Sequence, residues 1–201
     1  MERAALFHPR VFDDPEWAAG YYKRNAKNIE RVGKRLVSIL KKSGFTKGHV
    51  LDTGCGFGTV AIELAKAFPD VRIVGIDLGE PLLELGKSLL EKADVSDRVR
   101  LLKGDVHRLE FETHAFDLVM NTFMLHVVDN PLEMLNEIER VAKADGRIMI
   151  TDLRRIWLGL VVKKLKTAFT LDEAVEIIRK SNLRKGQFAK GPFWWDFMAG
   201  I

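Results

Sequence analysis

Apolar positions recur along the chain in two alternating rhythms. Ile29, Val32, Leu36, Ile39 and Leu40 return at three- and four-residue steps, the period of a helix with one buried face, and Gly44 supplies a stop. Dense short apolar runs at 48–53, 71–77, 99–103, 116–121 and 147–151 read instead as buried strands. Helical stretches lie between them: one over about 58–68, one opened by Pro81, and one over 130–142 with Met134, Leu135, Ile138, Val141 and Ala142 as its stripe. Thr170 and Glu173 cap another, burying Leu171, Ala174, Val175 and Ile178. Asp14 and Pro15 open a short helix through Tyr21 and Tyr22, predicted to be separate from the one that follows. Two strand-like pieces close the pattern, around Gln187 and over 193–199.

Strands alternating with helices predict an α/β fold, a parallel sheet covered by helices. No repeat or low-complexity linker interrupts the pattern, and 201 residues suit a single domain: a helical lid region over 1–45 and a core over 46–201. Composition changes this picture little. Hydrophobic residues at 47% and charged residues at 30% exclude a disordered chain. The apolar run at 156–162 is too short to span a bilayer, and the N-terminus lacks a long apolar core of signal-peptide type, so a cytoplasmic setting is expected. The single Cys55 excludes an internal disulfide and a cysteine metal cluster.

Charge adds one asymmetry. From Leu153 to Lys190 ten Lys or Arg stand against three acids, so this segment carries +7 and the remainder −3. Within it Arg154, Arg155, Lys163, Lys164 and Lys166 bracket the apolar run. The plain expectation is a helix with solvated lysines; the sharper one is peripheral contact with an anionic membrane surface.

The chemistry concentrates in "VLDTGCGFGTVAIELA", where a strand hands over to a helix. Gly54, Gly56 and Gly58 let the backbone turn sharply and approach a ligand closely. Gly56, Gly58 and Ala61 also satisfy the dinucleotide pattern, with Asp77 standing 21 residues beyond Gly56, so a nicotinamide-dependent oxidoreductase is one reading. Asp52 weighs against it, since a negative charge there repels a pyrophosphate and welcomes an ammonium or sulfonium centre. Asp105 follows the third strand, so carboxylates stand at three successive strand ends. Asp77 can accept both hydroxyls of a ribose and Asp105 an adenine amino group, which together with Asp52 suits an adenosine carrying a cationic tail, S-adenosylmethionine.

These blocks resemble the class I S-adenosylmethionine-dependent methyltransferases. "LDTGCGFG" is similar to their D/E-x-G-x-G-x-G motif, and "IVGIDL", "GDVHRLEF" and "FDLVMNTFMLHVVDNP" match later blocks. "IERVAKADGRIMITDLRR" resembles the branch that contains quinone-biosynthesis C-methyltransferases and other small-molecule enzymes. The resemblance implies a Rossmann-like, doubly wound, seven-stranded and mostly parallel sheet with an antiparallel last strand. It further implies that Asp52, Gly54 and Gly56 hold the methionine part and Asp77 the ribose, that Leu78 and Val106 sandwich the adenine, that Asp105 takes its amino group, and that Asn121 takes the ammonium through its carbonyl.

Methyl transfer from a sulfonium needs alignment and desolvation more than a metal or a triad, and neither is evident in the sequence. His126 in "FMLHVV" is the candidate general base, with Asp129, Tyr21 and Tyr22 behind it. "NTFM" at 121–124 departs from the Asn/Asp-Pro-Pro-aromatic signature of methyltransferases acting on nucleobase amines, so a nucleic-acid partner is not expected and a small-molecule acceptor is. Trp17, Tyr21, Tyr22, Phe123, Met124 and Trp157 are candidates for an apolar acceptor pocket. A noncatalytic S-adenosylmethionine-binding module, or a basic nucleic-acid-binding domain, with the same fold remains as an alternative.

Overall fold

Asp14 starts the chain's first helix by accepting from the amides of Glu16 and Trp17 (2.9 and 3.3 Å), with Pro15 at the first helical position. The computed structural model describes residues 13–156 and 166–201, and in it this helix, α1 (Pro15–Lys42), runs 28 residues without a break. The expected pair of N-terminal helices is therefore corrected to one. The polar stretch at 23–28 carries neither a proline nor a left-handed glycine, so nothing ends the helix before Ser43 and Gly44 (φ 74°).

The remaining elements follow in the order β1 (Lys47–Thr53), α2 (Thr59–Ala67), β2 (Asp70–Asp77), α3 (Glu80–Lys92), β3 (Val99–Lys103), β4 (Phe116–Thr122), α4 (Pro131–Val141), β5 (Ala142–Leu153), α5 (Leu171–Lys180), β6 (Gln187–Lys190) and β7 (Trp194–Ala199). The seven strands form one sheet in the order β3-β2-β1-β4-β5-β7-β6. β1 to β5 pair in parallel, while β7 is antiparallel to both β5 and β6. The order reverses between β1 and β4, and at such a switch point the helix connections diverge to opposite faces and leave a crevice beyond the strand ends.

Each face of the sheet is covered. Leu36 and Leu40 of α1 pack with Leu64 of α2 and Leu83 of α3 over Val50 and Leu118, while α4 and α5 bury Met134, Ile138, Ala174 and Ile178 against Leu51, Val119 and Trp195. The expected capping box of α5 is formed: Thr170 N donates to Glu173 Oε2 (2.8 Å) and Glu173 N to Thr170 Oγ1 (3.2 Å). β5 starts five residues earlier than its pattern suggests, because Ala142 pairs with Phe116 across a bulge. The segment 142–146, "AKADG", has low strand propensity and is held from outside, by pairing of Ala142 with Phe116 and by Arg184, which donates to Ala144 O and Gly146 O (2.7 and 3.1 Å).

Of the basic flank, residues 157–165 and with them Trp157, Lys163 and Lys164 lie outside the described residues. Arg155 is buried, pairs with Glu173 and donates to Ala168 O (3.0 Å), so its charge serves the fold. Among the described residues no helix is long and apolar enough to cross a membrane.

Candidate active site

β1 delivers Asp52 to the switch-point crevice, and the chain then turns through Gly54, Gly56 and Gly58 with φ of 74°, 55° and 70°, a conformation that side chains disfavour. A Cβ on Gly54 would overlap the Met124 side chain, whereas one on Gly56 would meet open space. The turn directs its donors inward. Gly54 N and Cys55 N both donate to Ile76 O (2.7 and 3.0 Å), Gly58 N to Cys55 O (2.9 Å) and Gly56 N to Asp77 Oδ2 (2.8 Å). A pyrophosphate cradle needs such amides turned outward.

The acids in this floor are costly to keep. Asp52 is 1% exposed, and neither carboxylate oxygen has a hydrogen-bond partner among the described residues. Burial, together with repulsion from Asp77, pushes its pKa up to about 7. Burial likewise raises Asp77, although the amides of Gly79 and Gly56 hold its two oxygens at 2.9 and 2.8 Å. Thr122 Oγ1, on the same cleft wall, is also buried without a partner. A buried carboxylate left unsatisfied in this way is a receptor for an ordered donor or cation. The charged amine and sulfonium of S-adenosylmethionine fit it, and the open approach over Gly56 leaves room for them.

The crevice opens into a cleft of about 790 Å³. Asp52, Gly54, Gly56, Asp77 and His126 line it; Gly58, Leu78, Asp105, Val106 and Asn121 do not. Gly58 is the N-cap of α2 and packs toward Leu101. Leu78 is half-exposed, while Val106 is buried in the core with Leu51 and Ile76. Asp105 stands half-exposed past β3, where partial burial is outweighed by the amide and imidazole of His107 (2.9 and 2.7 Å), which hold its carboxyl below the usual range. The Asn121 side chain ties β4 to β1, donating to Thr53 Oγ1 and Thr53 O (2.9 and 3.2 Å).

α1 forms the opposite wall. Trp17, Tyr21, Arg24, Asn25, Asn28 and Ile29 face the cleft, Trp17 stacks on Tyr21 at 4.9 Å, and Tyr22 turns away to pack edge-on against Phe57. Burial, and then the charge of Asp77, raise the Tyr21 phenol. His126 reaches the cleft from the loop after β4. Asp152, fully buried at the end of β5, grips it twice: His126 N donates to Oδ2 (2.9 Å) and Nδ1 lies 2.5 Å from Oδ1. Asp129 is exposed and absent from the cleft wall.

Sequence reasoning missed Asp152, whose strand-end position was its one local signal. It also missed the conformation of Phe123. A φ of 60° is unusual for an aromatic residue, and Phe123 N is pinned there by Thr151 O (2.8 Å).

The strand order, the reversed β7 and an acid-flanked glycine turn at the switch point define the fold class of the S-adenosylmethionine-dependent methyltransferases. The chain belongs to the methyltransferase domain family, whose sequence model matches residues 45–195. It is 33% identical over 132 residues to a malonyl-[acyl-carrier protein] O-methyltransferase of Legionella pneumophila, covering 66% of this chain and 45% of that one. It is 39% identical over 113 residues to a demethylmenaquinone methyltransferase of Staphylococcus aureus, covering 55% and 46%. The chain thus spans less than half the length of these curated relatives. In fold it is similar to a SAM dependent methyltransferase from Aquifex aeolicus, with a TM-score of 0.75, 21% identity and coverage of 92% of this chain and 97% of that one.

Proposed function

We propose that the chain binds S-adenosylmethionine on the acidic floor and directs its methyl group to a small-molecule acceptor held between α1 and the loop after β4. The observation that carries this reading is Asp52, a buried carboxylate with both oxygens unsatisfied beside a second buried acid. Bound there, the cofactor would supply an electrophilic methyl on sulfur, open to in-line displacement by the acceptor. Asp52 is placed to attract the cationic end, and Asp77 retains lone pairs for the ribose after accepting from Gly56 and Gly79. Asp105 and Leu78, at the adjacent strand ends, are assigned to the adenine by the family resemblance.

An acceptor whose receiving atom carries a proton, such as a hydroxyl or an acidic carbon, must give that proton up as it gains the methyl. With Nδ1 of His126 committed to Asp152, proton exchange falls to Nε2. Asp152 is a positioning residue in this scheme. α1 excludes water from the pair through Trp17 and Tyr21, which is the lid role proposed for the N-terminal region. A lone thiol at Cys55 suits a reducing compartment, in keeping with a cytoplasmic setting.

A nicotinamide cofactor fits poorly, because the glycine turn keeps its amides for the protein and two acids face the place of the pyrophosphate. Thermal shift separates the two readings. S-adenosylhomocysteine should raise the melting temperature and NADH should not, and Asp77→Ala should weaken S-adenosylhomocysteine by about 1.5–3 kcal/mol, the value of hydrogen bonds to a charged group. Tight NADH binding with no response to S-adenosylhomocysteine would overturn the assignment.

A further inference from the structure

α1 carries Arg24, Asn28, Arg31 and Arg35 at helical spacing, on one face. That face runs past two cavities. Arg24 and Asn28 line the main cleft, while Arg31 and Arg35 line a second cavity of about 190 Å³ with Val32, Phe193 and Trp194. Phe123 and Leu153 belong to the walls of both, so the two are neighbours divided by a pair of apolar side chains.

The cations along this trench are not equivalent. Arg35 is neutralised, its guanidinium held by both oxygens of Asp196 (2.7 and 2.8 Å) and stacked 5.1 Å from Trp194. Arg24 and Arg31 make no ion pair with a described carboxylate, Arg31 donating instead to Asn28 Oδ1 (3.2 Å). Lys166, which completes the cleft mouth opposite α1, also has no described carboxylate partner. The result is an apolar trench edged by two arginines and a lysine, in which Asp196 and Asp152 are already engaged by Arg35 and His126 while Asp52 and Asp77 lie on the cofactor floor.

Resting on the methyltransferase reading, we infer that the acceptor is an amphipathic anion. Its apolar body lies across Phe123 and Leu153 toward the second cavity, and its carboxylate-, phosphate- or sulfate-like group is taken by Arg24 and Arg31. Guanidinium groups suit planar or tetrahedral oxyanions because they donate two parallel hydrogen bonds. Phe123 sets the usable length, since its strained backbone holds the ring between the cavities.

Three probes of equal length and different charge test this by calorimetric titration: octanoate, octan-1-ol and octylammonium, each with and without S-adenosylhomocysteine. Octanoate should bind at least about tenfold more tightly than octan-1-ol, a margin that shrinks as salt is raised from about 0.05 to about 0.5 M. Octylammonium should be the weakest. In the double variant Arg24→Gln/Arg31→Gln the preference for octanoate should collapse, while octan-1-ol binding and the S-adenosylhomocysteine melting shift stay as they were. Phe123→Ala should improve dodecanoate relative to octanoate by joining the cavities. Equal binding of octanoate and octan-1-ol, no octanoate binding, or a preference that survives loss of both arginines would overturn the proposal. A missing S-adenosylhomocysteine shift would instead strike the cofactor reading, which the separate titrations reveal.

Discussion

The floor of the cleft and its wall line the same space and are built differently. At the floor, Gly54, Cys55, Gly56 and Gly58 spend their amides on Ile76, Asp77 and Cys55, while Asp52 is buried with nothing among the described residues to accept from. The backbone there is satisfied and the charge is not. Along the wall, charges and rings come from α1, from Phe123 and His126 after β4, and from Asp152 on β5, segments far apart in the chain. Here the buried charge of Asp152 is well partnered, and the charges without a described carboxylate partner are on the exposed Arg24 and Arg31. The difference teaches a division of work. Under the proposed function, the floor's uncompensated charge is what would select the cofactor, and the side chains of the wall would set which acceptor is admitted.

Breaking the buried His126–Asp152 pair of the wall should give the largest effect. His126→Gln is expected to lower the methyl-transfer rate by about 10²–10⁴-fold, the usual worth of a positioned base, with the S-adenosylhomocysteine melting shift unchanged. Asp152→Asn should lose less, about 10-fold or more, also without cofactor loss. A parallel fall in cofactor affinity would move His126 from the wall to the floor.

Asp52→Asn tests the floor in the opposite sense. The folded-state pKa of about 7 lies above the ordinary value of 3.8, so between those pH values the folded protein holds more protons than the unfolded chain. Stability contributed by the protonated form is therefore lost as pH rises from about 4 to 7. The asparagine variant should be more stable than wild type by roughly 2–4 kcal/mol at pH 8 and by little at pH 3, measured by denaturant unfolding. It should also bind S-adenosylmethionine more weakly, and wild-type affinity should decline below about pH 7 as Asp52 takes its proton. Equal stability at both pH values would show that this carboxylate carries no penalty.

A smaller effect is expected where the two regions touch. Gly54→Ala combines an unfavourable φ of 74° with overlap onto Met124, and should cost about 1–3 kcal/mol. Met124→Ala should recover the overlap part of that loss, so the double variant separates backbone strain from packing. Smallest of all, Trp17→Ala removes the stacking on Tyr21, worth about 0.5–1.5 kcal/mol beyond its buried area, and should slow transfer while leaving the floor intact. A truncation to residue 27 that stays folded and transfers at the full rate would refute the lid.

Much of the molecule is legible without coordinates because its signals are local. Asp14-Pro15, Thr170 with Glu173 and the Gly44 stop act within one helical turn, and the structure shows each in use. The break expected within α1 was wrong for the complementary reason. A polar stretch does not end a helix when packing against α2 and α3 supports both sides of it. The start of β5 at Ala142 could not be read, since "AKADG" owes its strand conformation to Phe116 on another strand.

The same line runs through the site. A glycine turn bounded by Asp52 and Asp77 is written in one continuous strand-helix-strand unit, where chain connectivity forces the acids to the same end of adjacent parallel strands. The sequence alone therefore carried the family resemblance and brought Asp52, Gly54, Gly56 and Asp77 to one crevice, while Gly58, Leu78, Asp105, Val106 and Asn121 do not line it. Whether Asp52 would be partnered, which nitrogen of His126 would be held, and which α1 side chains would face Phe123 depended on distances between β1, β4, β5 and α1. Those separations are set by packing of the whole sheet and its helices. Only the tertiary structure decides them, because burial and hydrogen-bond satisfaction belong to the surroundings of a residue and not to its identity.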